Sequence, residues 1–430
     1  MNYSINSNSL NTREDGIKEL PLTPIDQRYL LVINIQSSCD SQGSRYLDPM
    51  WAKDLIEHFK YLKNFTLAAP QRLEIPPENT IKVDSETSFA DAKFIDLPSP
   101  NSYAQAILML PATVAQLWGA IARTDIVHSA VAGWPIPMGW LVTPIAIIQR
   151  KKHAIVVESA PWRLQPGTTP NIKARIIAQI YERLNRWCIN RADLTIFTQA
   201  EYQESLLTKK HKKSYIINAS WIDKENIISE AGATQIWQEK RSQSPQKIKF
   251  LFAGRLHPSK GVLILLEAMK ILDNENMTVE LDILGEGELL SNCKAASNQM
   301  QKSAKINILG TIPYGPKFFD LLQQYHAIVV PSISDEQPRI VYDAYSQALP
   351  VLANNTAGLR DCIENGITGS IANCNDPIAL ANFLKQSAEN LNLLQNMGIA
   401  ALKKAHSLTH QEIHRQRWQL LLKMLDESKN

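Results

Sequence analysis

Apolar and polar positions fall in blocks along this chain. Short runs apolar on both faces are separated by stretches with the period of an amphipathic helix. The first run, Tyr29–Ile35, has the character of a strand buried in a parallel sheet. A loop with Gly43 leads to a helical pattern from Pro49 to Leu62, and a short strand follows at Phe65–Ala69. A long apolar helical pattern then runs from about Pro100 to Arg123. Its core, Ala104–Ala122, contains Gln105, Pro111 and Gln116 and reads as a buried helix rather than a membrane span. Strand ends follow at Asp125–His128 and Ala154–Glu158, with a helix at 138–150 between them. Residues 172–190 place Ile176, Ile177, Ile180, Leu184 and Trp187 beside Lys173, Arg175, Arg183 and Arg186. Two readings fit that helix: a core helix with a solvated face, or a basic amphipathic helix lying on anionic lipid. Strands at 193–198 and 215–218 complete a Rossmann-like domain over 26–222, behind a polar tail at 1–25 that reads as disordered.

Residues 223–246 are polar and read as a linker. The alternation then resumes with a strand at Lys247–Ala253, the loop Gly254–Gly261 and a helix to about Leu272. Further strands end at Gly285 and Gly310, where the lack of a side chain admits a planar group close to backbone. Gly287 lies just beyond the first of these ends. The stretch Ala327–Ala353 then gives an apolar strand, an acidic loop with Asp335 and Glu336, a helix starting near Pro338 and a second apolar strand. Ile340, Val341, Ala344 and Ala348 share one face of that helix. This order predicts a second Rossmann-like domain over 247–408, with a last helix in 409–430. Ligands of such sheets bind beyond the carboxyl ends of the strands, so two places carry candidate chemistry. Arg255 and Lys260 bring two cations to one such loop, suited to a diphosphate. Asp335 and Asp343, eight positions apart, flank a predicted helix N-terminus near Arg339 that offers free N–H groups to a phosphate.

A chain of 430 residues is long enough for two such domains, and a net charge of +3 gives no reason to expect a nucleic-acid partner. The five cysteines form no CxxC pair and predict reduced thiols in a cytoplasmic protein. No His/Cys cluster has metal-ligand spacing, so no metal and no cofactor are expected.

The acidic pair resembles the E-x7-E signature of family 4 glycosyltransferases of the GT-B fold, here with aspartate at both positions. Gly254, Arg255, Lys260 and Gly261 match that family's Gly-Arg-x(4)-Lys-Gly motif in place, and the resemblance is strong from Phe250 to Gly369. It implies an α/β protein of two Rossmann-like domains facing a cleft, with the terminal helix crossing back to the first. It also implies a retaining, metal-independent transfer of sugar from a nucleotide-sugar to a glycan or lipid-linked glycan. Arg255 and Lys260 would stabilise the departing diphosphate. Asp335 or Glu336 would contact the donor sugar, and Asp343 the ribose. Gly254, Gly285, Gly287, Pro338, Arg339, Ile340 and Val341 would complete the donor side. Arg339 adds either a third cation or a structural bridge to Glu336. On the acceptor side Gly43 is a thin match to paired glycines, and Glu158 ends a strand. His128 stands where the family has Asp-x-x-His-x-His, but Ala130 replaces its second histidine. Two other readings are another GT-B enzyme class, such as an epimerase or a phosphorylase, and a non-catalytic relative that binds nucleotide-sugar or scaffolds a biosynthetic complex. A location at the inner face of the cell membrane is the expectation if the basic helix contacts lipid.

Overall fold

The computed structural model describes residues 22–73, 80–83, 89–133, 135–164, 170–208, 213–242, 247–334 and 337–427. Asp335, Glu336 and tail residues 1–21 lie outside the described residues.

Two parallel sheets organise the chain. The parallel part of the first runs in the order Ser214–Ile216, Leu194–Phe197, Lys152–Val157, Ile126–Ala130, Ile25–Val32, Leu62–Leu73, Lys93–Leu97. Alternate residues of Ile25–Val32 enter different cores, as a two-sided sheet requires. Tyr29 and Leu31 pack with Leu55 of helix Pro49–Phe59, while Leu30 and Val32 pack with Leu117 and Val142. The Pro49–Phe59 helix starts where its sequence says it should: Pro49 opens it, and Asp48 accepts from the backbone N–H of Met50 and Trp51. Strand Leu62–Leu73 outruns its expected length, because a hairpin of Ser37–Cys39 and Arg45–Leu47 pairs along its extension.

Three helices, Tyr103–Ala122, Gly139–Ile148 and Ile172–Ile189, lie side by side over the Leu30/Val32 face. The first was expected to be buried and is not. Only its Ala106, Thr113, Leu117, Ala120 and Ile121 side is covered, leaving Ile107 66% and Leu108 80% exposed. A helix apolar all round carries no pattern to tell its inner side from its outer one. The third buries Asn185, Cys188 and Ile189, and it turns Ile172, Ile176 and Ile180 outward. The core-helix reading of 172–190 therefore fails, since its apolar side faces out.

The second sheet has the order Lys305–Gly310, Val279–Leu284, Ile248–Ala253, Ala327–Val330, Val351–Asn354, Gly369–Ala372, all parallel. Residues 223–246, expected as a polar linker, instead hold the helix Glu230–Ser242. Trp237 anchors it: the indole is wholly buried with Phe250 and Phe252, and Nε1 donates to the Ala348 carbonyl. One tryptophan on a polar helix was too sparse a stripe to register as a period.

Helix His410–Asp426 returns to the first domain and packs Ile413, Leu421 and Met424 into its core. A buried polar cluster fixes it there. His414 Nε2 lies 3.0 Å from Asp54 Oδ1, Arg417 lies 3.6 Å from the same oxygen, and the Tyr61 hydroxyl meets His414 Nδ1 at 3.1 Å. Among the described residues Asp54, His58 and His414 are close enough to share a metal ion. The Arg417 guanidinium already supplies positive charge to that carboxylate.

Candidate functional site

The chain order reverses between strands Ile248–Ala253 and Ala327–Val330, which are neighbours in the second sheet. The connections that leave their adjacent carboxyl ends therefore run in opposite directions and leave a crevice at the switch point. The loop Gly254–Gly261 forms one wall, and Pro331, Ser332, Pro338, Arg339 and Ile340 contribute to the other.

The first wall is held in place by backbone. Pro258–Lys260 make a single tight turn, capped by His257 through Nδ1 accepting from Ser259 N–H. Gly261 ends the turn at φ +72°, and a Cβ there would lie 1.9 Å from the Pro331 carbonyl oxygen. Ser259 O accepts from Ile333 N–H at 3.0 Å and from Ser332 Oγ at 3.2 Å, so the two walls are tied together. Lys260 thereby joins a cavity of about 190 Å³ with Gly254, Ser332, Pro338, Arg339 and Ile340. A second cavity of about 360 Å³ shares Gly254 and Ile340 and extends past Arg255 to Gly285, Thr311, Ile312 and Phe318. Arg255 is exposed at its mouth and pairs with no carboxylate among the described residues. The crevice thus holds a cation at each cavity and an apolar slot beside Ile312 and Phe318, dimensions and chemistry that suit a nucleoside diphosphate.

Gly285, which lines the second cavity, and Gly287 also have a packing role. A Cβ on Gly285 would meet the Gly254 carbonyl oxygen at 1.9 Å, and one on Gly287 the Leu256 carbonyl oxygen at 2.4 Å. Their missing side chains serve the packing of strand end against loop. At Gly310, by contrast, the Cβ direction is open.

The opposite wall departs further from expectation. The helix after the acidic loop is short, Ile340–Ser346, and Arg339 caps it without a side-chain bond. Arg339 is exposed and stacks its guanidinium 4.3 Å over Trp221, in the segment that joins the domains. Val341 is wholly buried, so it supports the wall from behind. Asp343 is buried too, and the Tyr314 hydroxyl donates to its Oδ1 at 3.0 Å. Burial pushes its pKa up to about 7, against the lowering influence of Tyr314, Arg339 and Lys53. Tyr314, half exposed on the loop after strand Lys305–Gly310, stands between Asp343 and solvent. It was not anticipated, and nothing in its sequence neighbourhood sets it apart from an ordinary loop tyrosine.

On the first domain the three expected acceptor residues separate. Glu158 is exposed at the end of strand Lys152–Val157, 3.9 Å from Arg417. His128 is a correction: it is buried in mid-strand, its Nδ1 shares a 2.7 Å hydrogen bond with Tyr29, and burial drives its pKa well below the usual range. A parallel strand covered on both faces gives a central histidine no route to the cleft. Gly43 is a second correction. It is the exposed tip of the hairpin, with φ +85° and its N–H on the Asp40 carbonyl, and it lines neither donor cavity. The strand ends instead surround a cavity of about 200 Å³ lined by Asn34, Arg72, Pro98, Ala106, Pro135 and Met138. Asn34 pins the loop there, donating to Ile136 O and accepting from Met138 N–H. Arg72 brings a buried Nε with no hydrogen-bond partner among the described residues. A polar residue closing the apolar run Leu30–Ile33 was the available signal for Asn34.

Comparison with known proteins fits this geometry. Residues 234–404 match the sequence profile of the family Glycosyl transferases group 1. D-inositol 3-phosphate glycosyltransferase of Streptomyces coelicolor is 29% identical over 166 residues, 36% of this chain and 36% of the relative. Its counterpart from Streptomyces avermitilis is 24% identical over 302 residues, 65% of this chain and 61% of the relative. The matched region thus spans about a third of the first relative and under two thirds of the second. Among solved structures, Anabaena Alr3699/HepE in complex with UDP superposes with a TM-score of 0.65 at 15% identity, covering 92% of this chain and all of that one.

Proposed function

Because residues 234–404 form a glycosyl transferases group 1 domain within a GT-B fold, we propose that this chain transfers a sugar from a nucleoside diphosphate sugar to a glycan or lipid-linked glycan. The observation that carries the reading is the switch-point crevice, where Arg255 and Lys260 are presented by one backbone-fixed loop. Departure of a nucleoside diphosphate leaves negative charge on its bridging oxygen and phosphates. Two cations held in position beforehand stabilise that charge without reorganising as it develops. The positive charge that a metal ion would supply comes in this reading from the protein. The base lies in the slot by Ile312 and Phe318, and the ribose reaches the Tyr314–Asp343 pair. Asp335 or Glu336 contacts the sugar, which leaves with its anomeric configuration retained. The first domain holds the acceptor between Glu158 and the Asn34–Arg72 cavity, in a cytoplasmic reaction. The complex of a structural neighbour with UDP makes uracil the base to try first.

A thermal-shift screen against UDP-, GDP- and ADP-sugars tests this. One nucleotide class is expected to raise the melting temperature, by about 2.7 kcal/mol of apparent stability at 100 times its dissociation constant. Arg255→Ala is expected to reduce that shift. No shift with any donor would favour a non-catalytic relative that scaffolds a complex without binding nucleotide-sugar.

A further inference from the structure

The three helices over the Leu30/Val32 face form a surface that sugar transfer does not use. Helix Tyr103–Ala122 has no charged residue, yet Ile107, Leu108 and Trp118 are exposed. A surface helix of a soluble protein ordinarily carries its charges on the solvent side. Helix Ile172–Ile189 adds an outward stripe of Ile172, Ile176, Ile180, Leu184 and Trp187. The Gly139–Ile148 helix between them ends in exposed Ile147 and Ile148. A monomer rarely leaves so large a contiguous apolar area in water.

Charge decides what covers it. Lys173, Arg175 and Arg183 are exposed among the isoleucines. The only carboxylate in the three helices, Glu182, is bound by Arg163 and Trp162. An apolar stripe flanked by unopposed cations, with tryptophans at its edges, complements an anionic lipid surface. The position fits as well. Helices run antiparallel to the strands they cover, so Tyr103 and Ile172, at the helix starts, lie at the carboxyl ends of the first sheet. The opening turns of Tyr103–Ala122 also wall the cavity that holds Arg72.

We propose that this face docks the first domain on an anionic bilayer, bringing the Asn34–Arg72 cavity to the lipid surface to receive a phosphate-bearing, lipid-linked acceptor. The acceptor part of this inference rests on the transfer reading, whereas the docking does not.

Sedimentation of the full chain with phosphatidylcholine vesicles, with and without phosphatidylglycerol, tests it. Wild type is expected to sediment with the anionic vesicles and far less with the neutral ones. Replacing Lys173, Arg175 and Arg183 by Gln should weaken anionic binding roughly 100-fold. Leu108→Ser with Ile176→Ser should weaken binding to both kinds. All these positions are exposed, so the nucleotide-sugar thermal shift should persist in every variant. That shift reports on the transfer reading separately. Wild type left in the supernatant with both vesicles, or variants that bind as wild type does, would overturn the proposal. So would a dimer in light scattering that Leu108→Ser with Ile176→Ser dissolves, since a second copy would then be what covers the face.

Discussion

Burial gives Asp343 a charge state that changes near neutral pH, and this has two consequences. Its folded pKa of about 7 lies above the ordinary carboxylate value of 3.8, so the folded chain keeps a proton that the unfolded chain releases. Stability should fall as pH rises from about 4 to about 7, and level off above that. Asp343→Asn removes the effect, so the variant should gain on wild type between pH 5 and pH 8 in urea midpoints; an unchanged difference would refute the assignment. Ionisation also makes the carboxylate a better acceptor for ribose hydroxyls, so nucleotide affinity should rise over the same interval and flatten in the variant. Tyr314→Phe removes the donor that faces this carboxyl and should weaken nucleotide binding by a few-fold. At this scale Arg255 and Lys260 were legible because residue type and spacing carry their chemistry. His128 matched the family motif in type and spacing, but its hydrogen bond to Tyr29 in mid-strand makes it the hydrogen-bonded structural histidine that a strand position also allows. Tyr314 was invisible because it meets Asp343 only through the fold.

The elements show where pattern suffices. Strands apolar on both faces, such as Ile248–Ala253 and Ala327–Val330, alternating with helices announce a parallel sheet, while the order of its strands is seen only in the fold. Helix Glu230–Ser242 escaped notice because its buried side is only Ala233, Trp237 and Lys240, with a single large apolar residue among them. The exposed side of Tyr103–Ala122 escaped notice because a uniformly apolar helix has no directional signal. The loop Gly254–Gly261 depends on one backbone conformation. Gly261→Ala puts a Cβ into the left-handed region and against the Pro331 carbonyl, and should cost more than about 1 kcal/mol of stability. Because the same substitution pushes the crevice walls apart, it should also weaken nucleotide binding beyond what the loss of stability explains. A variant that kept full affinity would mean that Lys260 does not depend on that contact.

The whole molecule is two domains joined at a small set of polar contacts. Asp361 of the second accepts from Ala200 N–H of the first at 2.7 Å, and Lys53 pairs with Asp223 at 2.8 Å. Trp221, stacked between Arg339 and His410, links the donor crevice to the helix that crosses back. That helix is fixed by the buried Asp54–His414–Arg417 cluster. Arg417→Met would remove the guanidinium 3.6 Å from the buried Asp54 carboxylate and should cost about 3 kcal/mol in urea unfolding. The proposed transfer depends on Arg255 and Lys260 stabilising a departing nucleoside diphosphate. The direct measurement is release of UDP from UDP-glucose by wild type and by the Arg255→Ala and Lys260→Ala variants, with nucleotide binding measured alongside. The account predicts slow release by wild type and a fall of about 10²-fold or more in each variant, larger than any loss of affinity. Equal release by all three proteins, or tight nucleotide binding with no release by wild type, would contradict it.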